Sequence, residues 1–545
     1  MDALENKEDM EENRGGARSM DRRSFVAKAG LIAGGAAIGG SVLGCSEFEI
    51  SIPCLGPAPA PKPVSGMTYI RASQIGCALD CNLQDGRNKY TGGEATDDGP
   101  RINAAMASAS ANNPVTLIID GSALISGLFL PAGGYWSIAG LGCGTGFFIR
   151  TGTNNDGIHN GDPNSAVPSD PGPPVPARGS RVALRNFTLN GNQGRGRNGD
   201  STTGTRQGTN GVAWYFGINL MNLNDIVIEN VVVVNTPAYH IRLSNVGNVG
   251  VSGCVLRSLG TNTDGLHFDG PANDISISNC EFLSGDDAIA LNCPEGYSGN
   301  ISRVTVTNCK FNSFTLMRLY TISGSGNPQK FNIDNVTVSN CSGTLTVAGF
   351  SIGDGSGSNP NSVTALTVSD CILTAPAVLD VTANFGSVVL RNIVLVPSDS
   401  ARDPGLAFVR SAPVYGKMTY VGSSLILDQC TILRNGDTVS AALILENNST
   451  ILNFEFNGFT AGAQQLLKIE SGSIGQLVLN SLDSSHIHAP VSPGGFSSIG
   501  LVSGRGVLAT GWEFPDEVMT NGVPYISAST GKPSIKVDGV VESYP

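Results

Sequence analysis

Three aspartates in the middle of the chain have a spacing that suits acid/base chemistry. Residues 264–269 read Asp-Gly-Leu-His-Phe-Asp, and residues 285–292 read Gly-Asp-Asp-Ala-Ile-Ala-Leu-Asn. When the two segments are aligned on their apolar residues, Asp264 and Asp287 occupy matching places at the start of a strand. Stacked strands lie about 4.8 Å apart, so Asp264, Asp286 and Asp287 are expected to cluster on one outer face. Clustered carboxylates repel, which splits their pKa values and supplies the acid and the base that glycosidic hydrolysis requires.

Other polar side chains are expected on the same face. Alternation along a strand turns Leu266 and Phe268 inward and His267 and Asp269 outward. The preceding segment, residues 238–244 (Ala-Tyr-His-Ile-Arg-Leu-Ser), aligns with this strand and contributes His240. We expect His267, Asp269 and His240 to bind the substrate. Residues 156–159 (Asp-Gly-Ile-His) resemble residues 264–267 but lie several repeats away, so we interpret them as an echo of the repeat.

A short pattern recurs along the chain and predicts the elements that carry these residues. It consists of an apolar residue, any residue, an Asn-like residue, and then Cys or another apolar residue. From Cys254 to Cys371, successive cysteines of the pattern lie 26, 29, 32 and 30 residues apart. A period of this length with alternating apolar residues indicates stacked β units. The cysteines of this series, expected to form an interior column, are Cys254, Cys280, Cys309, Cys341, Cys371 and Cys430.

The fold class follows from this repeat: an all-β, right-handed parallel β-helix. The Asn-like residue before each Cys is expected at a turn, and Asn tolerates the unusual backbone angles found there. One cysteine per repeat does not match the paired cysteines of a zinc site, so we expect no metal. We expect no cofactor either.

Composition supports the same fold and excludes some functions. The 545 residues include 70 Gly and 29 Pro, 40% are hydrophobic, and only 14% are charged. This mixture suits short strands joined by tight turns and disfavours disorder or a helical protein. The net charge of −12 argues against nucleic-acid binding, because a protein that binds nucleic acid needs a basic surface.

The first 65 residues predict export and anchoring. Residues 21–28 (Asp-Arg-Arg-Ser-Phe-Val-Ala-Lys) resemble a twin-arginine signal, and residues 42–45 (Val-Leu-Gly-Cys) resemble a bacterial lipobox. The sequence therefore predicts a signal segment over 1–45, lipidation at Cys45, and a protein held by its lipid at the membrane of the cell envelope. Residues 46–65 are Pro-rich and are expected to form a stiff tether.

The remaining chain divides into a β-helix over 66–510 and a small β element over 511–545. Residues 97–108 combine an Asp start signal, Pro and Ala-rich helix formers, and so predict a short helix that caps the first coil. A disulfide after export is expected among Cys54, Cys77 and Cys81, with the pairing left open.

Two motifs resemble glycoside hydrolase family 28, the polygalacturonases. Residues 262–265 (Asn-Thr-Asp-Gly), followed by residues 285–287 (Gly-Asp-Asp), are similar to the paired signature of that family. The resemblance implies inverting hydrolysis of a uronate-containing, pectin-like polysaccharide. It also implies that Asp264 and Asp286 act as acid and base, with Asp286 as our choice for the acid, and that Asp287 shares activation of the water.

The chain departs from the family pattern at two places. Where the family has Gly-His-Gly, residues 347–353 supply only Ala348 in the His position. The family's Arg-Ile-Lys motif, which binds the substrate carboxylate, is matched by Arg318 and, in place of Lys, by Tyr320. We expect His267 to replace the missing His, and Arg318 and Tyr320 to contact the substrate.

Two other functions remain open on the sequence. A polysaccharide lyase or epimerase would use an Arg, Lys or His base, which Arg318 and His267 could supply. A non-catalytic glycan-binding or surface protein can have the same fold, because fold alone does not determine function.

Overall fold

The computed structural model describes residues 56–60, 62, 64–142, 144–153, 155–161, 175–193, 215–260, 262–321, 331–353, 363–398, 406–411, 419–433, 439–480 and 489–505. Near the C-terminus it describes residues 516, 519, 521, 524–527 and 529–543. The expected signal segment, Cys45 and Cys54 lie outside these residues. Within the described residues, no helix has the length and apolarity that crossing a membrane requires.

Strands dominate the described chain. The first seventeen are β1 (Thr68–Arg71), β2 (Val115–Ile119), β3 (Ser122–Ile125), β4 (Leu128–Leu130), β5 (Gly134–Gly140), β6 (Gly146–Ile149), β7 (Ile158–Asn160), β8 (Gly179–Arg185), β9 (Thr188–Asn190), β10 (Ile218–Glu229), β11 (Val232–Val234), β12 (Ile241–Ser252), β13 (Val255–Ser258), β14 (Leu266–Ser278), β15 (Glu281–Ser284), β16 (Ile289–Asn292) and β17 (Ile301–Thr307). The others are β18 (Lys310–Tyr320), β19 (Ile333–Ser339), β20 (Ser342–Ile352), β21 (Val363–Ala375), β22 (Ala377–Val381), β23 (Phe385–Pro397), β24 (Ala407–Arg410), β25 (Val421–Asp428), β26 (Thr431–Ile432), β27 (Val439–Leu445), β28 (Ser449–Asn457), β29 (Thr460–Ala461), β30 (Ala463–Asn480), β31 (Ala489–Arg505), β32 (Pro524–Ile526), β33 (Pro533–Val537) and β34 (Val540–Ser543).

Parallel pairing between successive coils confirms the right-handed parallel β-helix. Strands β1–β31 belong to one parallel sheet that winds around three faces. The first face includes β17, β19 and β25, and the second includes β11, β13 and β15. The third face, which carries the candidate site, is built in its middle from the first parts of β10, β12 and β14, from β16, and from the last part of β18. Long strands span the corners between faces: β14 bends from the third face into the first face of the next coil, whereas β18 bends from the second face into the third.

The corner between the first and second faces is formed by the repeated Asn-Cys pair. Asn279, Asn308 and Asn340 have φ between 53° and 55°, the left-handed region that Asn adopts more readily than most side chains. The cysteine after each turn points inward, and all six cysteines of the repeat are buried with free thiols. Five of them, from Cys254 to Cys371, stack on successive coils, and Cys430 follows after one coil on which Ile393 takes the position, which confirms the predicted interior column.

A short helix closes the first coil, as the sequence predicts. Helix α1 (Gly99–Met106) has Pro in its first turn and buries Ile102 and Met106 against the first strands. Asn103 fixes the helix to the coil: its Nδ2 donates to the carbonyl of Gly127, and its Oδ1 accepts from the backbone N–H of Phe129. This cap covers apolar surface that the first coil would otherwise expose.

The structure contradicts one of the disulfides expected near the N-terminal end. Cys77 and Cys81 are both buried with free thiols. The prediction of a disulfide between these two residues is therefore wrong. Burial in a small apolar cluster suffices to explain Cys81, which packs there with Leu83 and Phe148. At the C-terminal end, β32, β33 and β34 form a separate antiparallel sheet.

Candidate active site

The third face brings the predicted aspartates into register. Leu266 pairs with Ile289 and Phe268 with Leu291, and all four side chains are in the core, as predicted. The backbone N–H of Gly265 donates to the carbonyl of Asp287 at 3.0 Å. Asp264 and Asp287 therefore occupy the same position on adjacent coils, at the point where the chain enters the third face.

His267 lies at the centre of three carboxylates. Its Nδ1 is 2.7 Å from Asp264 Oδ2, and its Nε2 is 3.0 Å from both Asp269 Oδ1 and Glu295 Oε2. Asn292 lies beside the same nitrogen, with its Nδ2 at 3.4 Å from Nε2. The imidazole therefore links the catalytic candidate Asp264 to the substrate-binding candidate Asp269.

These carboxylates determine the direction in which the pKa of the imidazole is shifted. Burial alone would lower the pKa of His267, but hydrogen bonds to Asp264, Asp269 and Glu295 outweigh burial and hold that pKa well above its usual range. Burial would likewise raise the pKa of Glu295. The hydrogen bond and charge of His267, together with the charge of Arg318, lower it instead.

Two aromatic rings and one arginine from the preceding coils pack beside the imidazole. The Tyr239 ring stacks on His267 with 3.9 Å between centroids, and Phe216 stacks on Tyr239 at 5.1 Å. Arg242, in register with His267, forms an ion pair with Asp269 and lies over the Phe216 ring. The arginine thus compensates part of the negative charge that the carboxylates bring to this face.

Asp287 is held from the following coil. Thr315 Oγ1 donates to Asp287 Oδ1 at 2.7 Å, and Arg318 Nη1 lies 3.9 Å from Asp287 Oδ2. The Arg318 guanidinium also covers the Tyr320 ring at 4.6 Å. Ala348 pairs with Thr315, two coils beyond Asp287 in the same column. The residue at the family's His position therefore lies away from Asp264.

Two candidates are less closely tied to this network. Asp286 lies at the turn before Asp287, and its backbone carbonyl accepts from the N–H of Phe314 at 3.0 Å. His240 is fully buried, and its Nδ1 is 2.8 Å from the backbone carbonyl of Asp264. The structure does not bring the His240 imidazole into the carboxylate cluster around His267.

The site is more enclosed than the outward direction of these strands predicts. The candidate aspartates, His267 and Arg318 each expose 4% of their surface or less, because neighbouring polar side chains cover one another. The partly exposed members are Tyr239, Glu295 and Tyr320. A ligand would meet these three side chains first.

Residues 156–159, which resemble residues 264–267, reproduce the contact at Nδ1 of His267 but not the contacts at its Nε2. His159 Nδ1 lies 3.0 Å from Asp156 Oδ2, with the same spacing in sequence as Asp264 and His267. Within the described residues, however, His159 Nε2 has no hydrogen-bond partner, whereas His267 Nε2 has two carboxylates. The structure supports the prediction that this segment is separate from the cluster.

Sequence reasoning missed Glu295, Asn292, Arg242 and Tyr239. Arg242 could have been predicted from the sequence, because the alignment of residues 238–244 with 264–269 places it beside His267. Glu295 follows β16 in a turn, where the repeat supplies no alignment. Together with His267 and Asp269, Glu295 forms a group with the ligand types of a metal centre.

The chain is similar to several solved structures. A family 28 exopolygalacturonase of Yersinia enterocolitica matches with 11% identity and a TM-score of 0.48, over 81% of this chain and 78% of the other. The catalytic unit of a GH87 alpha-1,3-glucanase of Streptomyces thermodiastaticus matches with 13% identity and a TM-score of 0.45, over 86% and 70%. A surface adhesin of Streptococcus pneumoniae matches with 12% identity and a TM-score of 0.44, over 88% and 98%.

No family model matches the chain, and no curated protein matches it by sequence. The likenesses to solved structures, at such identities, concern the fold only. What the chain can do chemically depends on the residues of the third face.

Proposed function

We propose that the protein is a glycoside hydrolase that cleaves a uronate-containing, pectin-like polysaccharide with inversion. The observation that carries this proposal is the register of Asp264 and Asp287 at the start of adjacent strands, with Asp286 next to them. Two or more carboxylates on one face are the requirement of acid/base hydrolysis of a glycosidic bond. The similarity of residues 262–265 and 285–287 to the family 28 signature adds support.

We assign roles to Asp264 and Asp287 from their contacts, and to Asp286 from the resemblance to family 28. Asp264 is oriented by the Nδ1–H of His267 and acts as a base toward the attacking water. Asp287, which accepts from Thr315, shares in holding that water. Asp286 donates the proton to the leaving oxygen. Inversion requires the acid and the base to lie on opposite sides of the bond, with space for the water between them.

Substrate recognition is assigned to the cationic and aromatic side chains of the same face. Arg318 lies between Asp287 and the ring of Tyr320, where its guanidinium can face a uronate carboxylate. Tyr320 is partly exposed and offers a ring face to a sugar, whereas Tyr239, stacked between Phe216 and His267, offers only its ring edge and hydroxyl. Arg318 thus takes the carboxylate-binding role that the family motif implies.

Export and anchoring complete the proposal. The twin-arginine segment would direct the folded protein across the membrane, and lipid attached to Cys45 would retain it in the cell envelope. Mass spectrometry of the mature N-terminus tests this: a diacylated Cys45 is expected, and a Cys45→Ser variant should leave the membrane fraction. An unmodified N-terminus upstream of Cys45 would contradict the proposal.

The activity is tested with a panel of pectic and other acidic glycans. Two assays run together, one for reducing ends and one for the ultraviolet absorbance of unsaturated uronates. We expect reducing ends without absorbance, and a loss of about a thousandfold or more in Asp286→Asn and Asp264→Asn. The matched control is Asp274→Asn, because Asp274 lies in the same strand as Asp269 but forms an exposed ion pair with Arg303.

The other outcomes separate the alternatives. Unsaturated products would show that the protein is a polysaccharide lyase. Glycan binding without turnover, unchanged in Asp286→Asn, would favour a non-catalytic surface protein. An equal loss in Asp274→Asn would show that the aspartate substitutions act through the fold rather than through the site.

A further inference from the structure

The environment of His267 Nε2 differs from that of an ordinary buried imidazole. Asp269 Oδ1 and Glu295 Oε2 both lie 3.0 Å from this nitrogen, on the side of the ring away from Asp264. The three ligand atoms lie within 4.8 Å of one another. Two carboxylates thus converge on one nitrogen that carries a single proton at most.

The other ring nitrogen already has the partner that metal-bound imidazoles have. Asp264 Oδ2 lies 2.7 Å from Nδ1, so the Nδ1–H donates to a carboxylate. A cation that displaces the proton on Nε2 would then find the lone pair of that nitrogen directed toward Asp269 and Glu295. This carboxylate–histidine arrangement fixes the ring tautomer and orientation at many metal centres.

We propose that His267 Nε2, Asp269 Oδ1 and Glu295 Oε2 bind a divalent cation, with Asp264 as the residue that orients the imidazole. Two of the three separations between ligand atoms match the edge of an octahedral coordination shell, and the third, between the two carboxylate oxygens, is within 4.8 Å. Ligand atoms at about 2.1 Å from such an ion lie about 3.0 Å apart along each edge of the octahedron, whereas a tetrahedral ion would separate them by about 3.4 Å. The Nε2 atom lies 3.0 Å from each carboxylate oxygen.

Asn292 provides an independent indication. Its side chain is fully buried, and its Oδ1 has no hydrogen-bond partner among the described residues. Its amide nitrogen lies 3.4 Å from His267 Nε2, so the amide group borders the space that the cation would occupy. The amide nitrogen now faces His267 and hydrogen-bonds Glu295, and rotation of the amide by half a turn on cation binding would replace that bond with coordination by the unpartnered oxygen. A buried amide oxygen without a partner is costly, and a cation would remove that cost.

Charge and ligand chemistry narrow the class of ion. Arg242 forms an ion pair with Asp269 through Oδ2, which leaves Oδ1 for single-atom coordination. One imidazole with two carboxylates suits first-row ions such as Mn²⁺ or Fe²⁺ better than Ca²⁺, which prefers an all-oxygen shell. The cation therefore belongs to the octahedral first-row divalent ions. Its binding does not depend on the hydrolysis proposed above.

The test measures binding rather than turnover. The purified full-length protein is treated with a chelator, dialysed, and titrated with Mn²⁺ by calorimetry and by electron paramagnetic resonance, with Mg²⁺, Ca²⁺ and Zn²⁺ in parallel. We expect one Mn²⁺ site per chain, and affinity at least tenfold lower in Glu295→Gln. The matched control is Glu281→Gln, because Glu281 pairs with Arg257 on the second face. This control should bind Mn²⁺ as the parent does.

A second pair of variants separates ligand loss from damage to the fold. His267→Gln should lose Mn²⁺ binding, whereas His159→Gln should retain it, because His159 has an Asp partner at Nδ1 but no carboxylates at Nε2. Circular dichroism checks that each variant is folded. Absence of uptake of all four ions by the parent, or equal affinity in Glu295→Gln and Glu281→Gln, would overturn the proposal. Neither result depends on finding a glycan substrate.

Discussion

His240 and His267 lie on adjacent coils but meet opposite electrostatic surroundings. His267 is surrounded by carboxylates that favour its charged form. His240 is buried against backbone carbonyls, and burial lowers its pKa to about 4. Residue type alone therefore does not identify a functional histidine on this face. The charges within hydrogen-bond distance of each ring distinguish the two.

The low pKa of His240 predicts a pH dependence of stability. The unfolded chain protonates His240 near pH 6.5, whereas the folded chain does so only near pH 4. As pH falls through this window, the unfolded state binds more protons, so this residue costs roughly 3 kcal/mol of stability at the lower end. Denaturation curves from pH 7 to 4 should show a smaller decline in His240→Gln than in the parent. Parallel declines would contradict the low pKa.

The ion pair of Arg410 and Asp380 is a second residue-scale feature of the third face. The two residues are in register, both are buried, and Arg410 Nε and Nη2 lie 2.6 and 3.2 Å from the two carboxylate oxygens. Removing one partner leaves the other charge buried. Arg410→Met should therefore lower the free energy of unfolding by about 3–5 kcal/mol. The double variant with Asp380→Leu should recover most of that loss, and a double variant as unstable as Arg410→Met would contradict this account.

At the scale of the element, the Asn-Cys corner sets the register of the coils. At Cys280, Cys309 and Cys341 an asparagine supplies a left-handed residue and the cysteine a small interior side chain, so these coils turn at the same place. The site depends on this register, because Asp264 and Asp287 are neighbours only when adjacent coils start the third face at matching residues. A structural repeat on one corner thereby positions the polar side chains of another face.

The left-handed conformation predicts a difference between two substitutions at Asn308. Its φ of 55° suits Gly but not Ala, since a Cβ there approaches the following carbonyl oxygen. Asn308→Ala should lower the free energy of unfolding by about 1–2 kcal/mol, whereas Asn308→Gly should change it by less. The repeat itself contains Gly253 at the equivalent corner. Chemical denaturation of both variants gives the comparison, and equal losses would argue against backbone strain as the cause.

The repeat also explains how far the sequence could predict the site. Period and alternation predict the fold, the interior cysteines and the pairing of Leu266 with Ile289, because all of these recur in each coil. Glu295 recurs in none of them, and its contact with His267 depends on the path of one turn. Burial of the aspartates was not predictable either. It results from side chains of several coils that cover each other.

At the scale of the whole molecule, the stability of the β-helix depends mainly on contacts between neighbouring coils. Each coil hydrogen-bonds to the coil before and after it, and helix α1 covers the start of the stack. In such solenoids a local defect affects mainly the adjacent coils, because distant coils share no contacts with it. The candidate site lies several coils from the cap, so the two are expected to respond separately to substitution.

Helix α1 allows this separation to be measured. Ile102 is fully buried under the helix, whereas Ala104 is exposed on the same helix. Ile102→Asp places a carboxylate against the first coil, which should cost at least roughly 3 kcal/mol locally and speed amide exchange in β2 and β3 by about a hundredfold. Ala104→Asp is the matched control and should leave that exchange unchanged. Amides of β14, which carries His267, should keep their protection in both variants. Equal acceleration in β14 and β2 would instead show that the β-helix unfolds as one cooperative unit.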